Sequence, residues 1–248
     1  MSAYENRFQE ATNRLTGSWV AEVDARAHDL KAFLQYFNDA ETPEQSWQSG
    51  CWDFSCHILK PKLVQLLGPP FEKTALEIGY GGGRLLHAAC RHFRRAIGVD
   101  VHGHRELVAS LLAARGITNA ELHQTDGRLL PLGDAEVDCV YSFIVLQHLA
   151  TLDVLRQNLV EVRRVLRPGG AAILYFGYLS GQSWWRLGFQ DLTTRTLERT
   201  RDVTLRLTMP CARRLLAGLG LRVHELRRSH KRPWRTDYGG QFYAIVTR

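Results

Sequence analysis

The chain has 248 residues, 45% of them hydrophobic and 23% charged, which is enough apolar content to bury a core without disulfide or metal staples. No run of about 18 apolar residues occurs, which argues against a membrane-spanning helix. The net charge of +7 is uneven, since residues 151–248 hold 18 basic and 7 acidic side chains while the first 150 carry a net charge of −4. A basic second half suits RNA, a phosphorylated acceptor or an anionic membrane surface, or simply keeps the chain in solution. The polar opening Met1-Ser2-Ala3-Tyr4-Glu5 does not resemble a secretory signal, so a cytoplasmic protein is expected. The five cysteines (51, 56, 90, 139 and 211) lack C-x-x-C spacing, which argues for a reducing compartment and no metal site.

Along the chain, residues 5–40 show helical spacing through Leu15, Trp19, Val23, Leu30, Phe33, Leu34 and Phe37. Glu41-Thr42-Pro43-Glu44 breaks that run, and Trp47 to Leu67 reads as an aromatic loop leading into an amphipathic helix. From Phe71 short apolar runs alternate with helical stretches. Strands are predicted at 74–78, 96–100, 120–125, 137–143 and 171–176, and helices at 84–93, 106–115 and 151–166. A last helix at 210–219 precedes strands near 221–226 and 241–247. Strands separated by helices require crossover connections, so a parallel sheet covered on both faces is expected. Residues 1–70 form a helical N-terminal lid in this reading, 71–248 a core, and 177–209 a lid insertion after the fifth strand.

Leu76-Glu77-Ile78-Gly79-Tyr80-Gly81-Gly82-Gly83-Arg84 falls between a predicted strand and helix. Glycines 79, 81 and 83 let the backbone turn sharply and approach a ligand. A dinucleotide fingerprint wants a small residue five positions after its first glycine, where this chain has Arg84. The alternating glycines after Glu77 instead resemble the first motif of class I S-adenosylmethionine-dependent methyltransferases. The resemblance continues in order through Asp100, the Gln124-Thr125-Asp126-Gly127 segment, Leu130 to Phe143, and Leu166-Arg167-Pro168-Gly169-Gly170-Ala171.

That resemblance implies a Rossmann-like, mostly parallel sheet with an antiparallel last strand, and S-adenosylmethionine as cofactor with S-adenosylhomocysteine as product. It implies that Glu77 orients the loop or takes the methionine amino group, and that Asp100, followed by Val101, grips the ribose hydroxyls. Asp126 would accept from the adenine amino group, with Gly127 and Arg128 along the base and Ser142 nearby. His148, just past the fourth strand, stands where several small-molecule methyltransferases carry a base; a histidine packing under the cofactor or against the lid is the other reading. His102, His104 and His123 are expected at the surface. A metal-assisted variant through Asp126, Asp153 and Asn158 has no ligand spacing to single it out, so no metal is expected.

Trp47, Trp52, Tyr178 and Trp184, with Phe54 and Trp185, are candidate walls for the acceptor or cement between lid and sheet. The expected acceptor is a small molecule, most simply a sugar or secondary-metabolite hydroxyl. Nitrogen methylation, RNA methylation through the basic 227–235 segment near Trp234, and a non-catalytic cofactor-binding scaffold are the alternatives.

Overall fold

The computed structural model describes residues 3–180, 188–193, 203–229 and 240–248. Trp184, Trp185 and Trp234 lie outside the described residues, as does most of the basic 227–235 segment. The N-terminal region is helical: α1 (Ala3–Asp24), α2 (Leu30–Asn38), α3 (Pro43–Asp53) and α4 (Pro61–Leu67). Helix α2 starts where the Asp29 carboxylate accepts from the amides of Lys31 and Ala32 at 2.9 and 3.4 Å. Helix α3 starts at Thr42, whose hydroxyl accepts from the Gln45 amide, with Pro43 placed where no amide is needed.

The expected aromatic loop from Trp47 is instead helix. The reason is a buried face at Trp47, Gly50 and Phe54, an i, i+3, i+7 spacing that local sequence does not reveal as helical without its partner. Helix α3 passes into a π-helical turn, Phe54–Ile58, closed by the Leu59 amide donating to Phe54 O at 2.9 Å.

The strands are β1 (Thr74–Ile78), β2 (Arg95–Asp100), β3 (Ala120–Gln124), β4 (Val137–Ser142), β5 (Leu166–Gly177), β6 (Phe189–Gln190), β7 (Arg206–Leu207), β8 (Arg222–Arg228) and β9 (Gln241–Thr247). The later helices are α5 (Arg84–Cys90), α6 (Arg105–Ala113), α7 (Leu152–Val165) and α8 (Met209–Gly218). Seven strands form one sheet in the order β3-β2-β1-β4-β5-β9-β8, while β6 and β7 pair separately. Strands β1 to β5 run parallel, and β9 pairs antiparallel with β5 and β8, as expected of the last strand. Strand β5 begins earlier than its sequence predicts. Leu166 already pairs with Val137, and the register shifts before Ala171 meets Cys139.

Residues alternate between two cores, as the pleat requires. Ala75, Cys139, Tyr141 and Ile173 pack toward α2–α6, while Leu76, Val140, Ala172 and Leu174 pack toward α7 and α8. Trp47, Phe54, Ile58 and Leu63 belong to the first core, each 2% exposed or less. The segment from α3 to α4 is therefore part of the sheet's covering layer, and α1 with α2 is the part of 1–70 that reaches over the strand ends. No helix among the described residues is long and apolar enough to cross a membrane.

Helices α3 and α5 touch through Gly50, where an added Cβ would collide with the Arg84 carbonyl. In a free helix Gly→Ala stabilises by about 1 kcal/mol. Here the sign is expected to reverse. Gly50→Ala should destabilise by about 1–3 kcal/mol, the usual cost of overpacking, and thermal unfolding measures it. An unchanged or raised Tm would contradict the close helix contact.

Candidate active site

The order β3-β2-β1-β4-β5 reverses direction between β1 and β4, which is where an open parallel sheet presents a crevice at its carboxyl edge. A cleft of about 940 Å³ lies there. Its floor comes from Glu77 to Gly82 after β1, Asp100 to His102 after β2, Thr125 and Gly127 after β3, and Phe143 to Ala150 after β4. Helices α1 and α2 form one wall through Trp19, Tyr36 and Phe37, and Tyr178, Arg206 and Gln241 close the opposite end.

Two glycines are demanded by the turn itself. Gly79 has φ 81° and its missing side chain is replaced by Val145, against which a Cβ would clash. Gly81 has φ 52°, and a Cβ there would come 2.7 Å from Phe37 Cδ1, so the lid helix rests directly on the loop. Gly83 serves differently: it caps α5, and a Cβ there would meet Val108 of α6. Gly83 is not among the residues that line the cleft, whereas Gly82 is.

Glu77 is buried, and the Tyr141 hydroxyl donates to its Oε2 at 3.1 Å. Burial pushes its carboxyl up to about 8; the Tyr141 hydrogen bond and the Arg84 guanidinium pull it down, and Asp100 pushes it up. Arg84 itself lines the cleft and pairs with the buried Asp53 of α3 at 2.5 Å. Asp100 is held at its backbone end. Its Oδ2 accepts from the Gly81 amide at 2.8 Å and its Oδ1 from Val101 at 2.7 Å, which leaves further lone pairs on both oxygens.

His102 is buried, not at the surface. Its Nε2 donates to Gly81 O at 3.1 Å and its Nδ1 accepts from the His104 amide at 3.2 Å, so burial leaves no ring nitrogen unpaired. Asp126 is exposed on the rim beside the cleft-lining Thr125 and Gly127. Its Oδ1 accepts from the amides of Arg128 and Leu129, both at 2.9 Å. Burial alone would raise the Asp126 carboxyl, but these two bonds and the Arg128 guanidinium hold it below its usual range. Arg128 reaches Asn13 of α1 at 3.4 Å and does not line the cleft. Ser142 is fully buried and donates to Ile78 O at 3.2 Å, a brace between β4 and β1 with no face on the cleft.

His148 ends a 3₁₀ turn, Leu146–His148, and lines the cleft with its ring edge-on to Trp19 at 5.0 Å between centroids. Of the expected acceptor walls, Tyr178 lines the cleft. Trp47 is corrected to the core, stacked on His87 of α5 at 4.7 Å, and Trp52 lies on the surface, away from the cleft. Two contributors were not foreseen in the roles they hold. Asn158 of α7 donates to Gly127 O at 2.9 Å and fixes the turn after β3. Trp19 appears in the sequence only as one residue of an apolar helical stripe, and that stripe proves to be a cleft wall. Among the described residues no group of three or more His, Cys, Asp or Glu is placed to hold a metal ion.

Residues 76–174 match the family model of a methyltransferase domain. An uncharacterised 37.1 kDa protein in transposon TN4556 of Streptomyces fradiae is 37% identical over 108 residues, 41% of this chain and 29% of that protein's length. The 1,6-didemethyltoxoflavin-N1-methyltransferase of Burkholderia thailandensis, crystallised with 1,6-didemethyltoxoflavin and S-adenosylhomocysteine, superposes with a TM-score of 0.65 at 17% identity over 100% of this chain and 91% of that one. A SAM-dependent methyltransferase from Aquifex aeolicus superposes with a TM-score of 0.56 at 15% identity, covering 83% and 97% of the two chains. At these identities the superpositions establish the fold.

The burial of Glu77 has a measurable consequence without any ligand. A carboxyl raised in the folded state contributes stability that is complete below its unfolded value of 4.5, declines as pH rises, and is lost above about 8. Across that window wild type should lose stability relative to Glu77→Gln, whose amide oxygen still accepts from Tyr141. Denaturant titrations at several pH values measure it; parallel curves for the two proteins would contradict a neutral Glu77.

Proposed function

We propose that this chain, whose residues 76–174 match a methyltransferase domain, is a class I S-adenosylmethionine-dependent methyltransferase whose cleft transfers a methyl group to a hydroxyl of a small molecule, with His148 as the base. The residues present fit the cofactor. Glu77 is a buried carboxyl that lines the cleft with the glycine turn Gly79 to Gly82, where a cation such as the methionine ammonium would meet it. Asp100 offers two carboxylate oxygens, held by the Gly81 and Val101 amides, to the ribose diol. Val101 and Gly127, which line the cleft, would flank the adenine, and Asp126 on the rim would accept from its amino group. When bound, the cofactor supplies a methyl group on a sulfonium, which departs as a neutral thioether.

The chain's own task is then to orient the acceptor, exclude water and remove one proton. The observation that carries the reading is the position of His148 on the cleft between the glycine turn and the Tyr178–Gln241 end. An acceptor hydroxyl loses its proton to the imidazole as its oxygen gains the methyl, so charge and atoms balance within the site. A nitrogen acceptor with a free lone pair has less need of such a base. The cleft volume of 940 Å³ lies near the upper end of the range of about 300–1,000 Å³ for small-molecule pockets, consistent with cofactor and a compact acceptor together.

Asp100→Ala is expected to lose cofactor binding by calorimetry, and unchanged affinity would contradict the ribose role. His148→Ala should keep cofactor affinity and slow turnover at least about tenfold. Turnover is measured as methyl label passing from labelled cofactor into a small-molecule extract, read by mass spectrometry. Near-normal turnover would remove the base assignment, and label entering RNA only would replace the acceptor class.

A further inference from the structure

Strand β7 and the residues before it bring a charged side chain to the end of the cleft opposite the glycine turn. In the extended segment Leu205-Arg206-Leu207 both leucines are 1% exposed and belong to the core beneath α7 and α8. The residue between them points the other way, and Arg206 lines the cleft. Its backbone is anchored at several points. The Thr204 and Leu205 amides donate to Gln147 O at 3.0 and 2.9 Å, and the Thr204 hydroxyl donates to Leu149 O at 2.8 Å. The Leu179 amide donates to Leu207 O at 2.8 Å. Gly177 admits the segment, since an added Cβ there would stand 2.5 Å from Leu205 O.

Tyr178, which follows that glycine and lines the cleft, forms a β-bridge with Leu207 and stands edge-on to Phe242 at 6.3 Å between centroids. The exposed Arg228 places its guanidinium 4.3 Å from the centre of the Tyr178 ring. A guanidinium stacked in this way keeps its N–H edges for other partners. The charges of the cleft are divided between its ends. Among the described residues its carboxylates, Glu22, Asp39, Glu77 and Asp100, come from α1, the turn after α2, β1 and β2, at the end proposed for the cofactor. The loop after β4, Tyr178, the 203–206 segment and the start of β9 bring no described carboxylate to the cleft, and they bring Arg206.

We propose that Arg206 is a specificity-determining residue that grips an anionic group of the acceptor, a carboxylate or a phosphate, while Arg228 braces Tyr178 and adds positive potential at the same end. A guanidinium has five N–H donors in a rigid fork, so a contact within the protein fixes its direction without exhausting it. Two parallel bonds from the fork to one carboxylate or phosphate set the acceptor's orientation as well as its affinity. The hydroxyl to be methylated then belongs to the part of the acceptor nearer His148. The assignment to an acceptor rests on the reading of this cleft as a methyltransferase site, while the anion site itself does not.

The test uses full-length ¹⁵N-arginine-labelled protein in saturating S-adenosylhomocysteine, whose own binding is read by calorimetry. The probes are 4-hydroxybenzoate, 4-hydroxyphenyl phosphate and the neutral 4-hydroxybenzamide. The Arg206 Nε–H signal, assigned by its loss in Arg206→Lys, should move with an anion and stay in place with the amide. Arg206→Met should weaken the better anion at least about tenfold and leave S-adenosylhomocysteine affinity unchanged. Arg228→Met, at an exposed position, should weaken it about two- to fivefold. A larger response to the phosphate assigns a phosphorylated acceptor, and a larger response to the benzoate a carboxylate. Equal binding of amide and anions overturns the proposal, as does an anion affinity untouched by Arg206→Met or an Arg206 signal that no small probe moves. Should Arg206→Met fail to fold, Arg206→Lys keeps the charge, loses the fork and should still weaken the anion about threefold or more; undiminished affinity overturns the proposal. Failure of S-adenosylhomocysteine to bind while Arg206 still answers the anions would remove the methyltransferase reading and leave the anion site. Bound S-adenosylhomocysteine with a silent Arg206 would remove the anion site alone.

Discussion

The end of β1 must place a carboxyl group where water barely reaches it and then turn the backbone sharply enough to leave room above it. Glu77 meets the first demand at a cost that shows in its raised titration, because a charged carboxylate there is poorly solvated and only Tyr141 and the nearby Arg84 offset the loss. The glycines meet the second. Neither side chain nor ordinary φ is compatible with the approach of Val145 to Gly79 and of Phe37 to Gly81. The rest of the site is arranged around this turn. Asp100 and His102 from the end of β2 hold the amide and the carbonyl of Gly81, so the neighbouring strand fixes the loop at both of its polar groups. A site so arranged is preorganised, with its binding groups already held in place before a ligand arrives.

The walls divide the cleft into two ends. The lid helices lean on the glycine turn through Phe37, and α1 is tied to the core by Asp24, which accepts from His104 Nε2 at 2.7 Å. The opposite end is built from segments far apart in the chain. Gln147 O accepts from the amides of Thr204 and Leu205, and the Tyr178 amide donates to Gly240 O, so the loop after β4, the insertion and the start of β9 converge. In the proposed reading the first end takes the cofactor and the second the acceptor, with His148 between them. The division explains how a common sheet accommodates a particular acceptor, since the first end is made of the shared strand ends and the second of this chain's own additions.

The sheet and the glycine turn that lines the cleft were legible because each depends on a local signal. Alternating strand and helix patterns gave the parallel sheet, and the glycines after Glu77, then Asp100, stand at strand ends where residue type and position speak together. What stayed hidden depends on partners distant in sequence. Trp47 reads as a loop aromatic until α5 supplies His87 to stack on, and His102 reads as a surface residue until Gly81 and His104 satisfy its two nitrogens. Ser142 and Gly83 have the right neighbours in sequence but face Ile78 and Val108, because a one-residue step on a strand or helix changes the face. Gln241 carries no signal at all in its own segment; it meets Gln147, which the fold brings to it from another strand end.

In the proposed reading the buried Glu77 is neutral in the free protein and meets the cationic amino group of the methionine portion on binding. Calorimetry of S-adenosylhomocysteine binding near neutral pH, repeated in buffers of different ionisation heat, reads this directly. Binding should release about one proton from wild type and none from Glu77→Gln. Binding without proton release, equal release from both proteins, or no binding at all would contradict it.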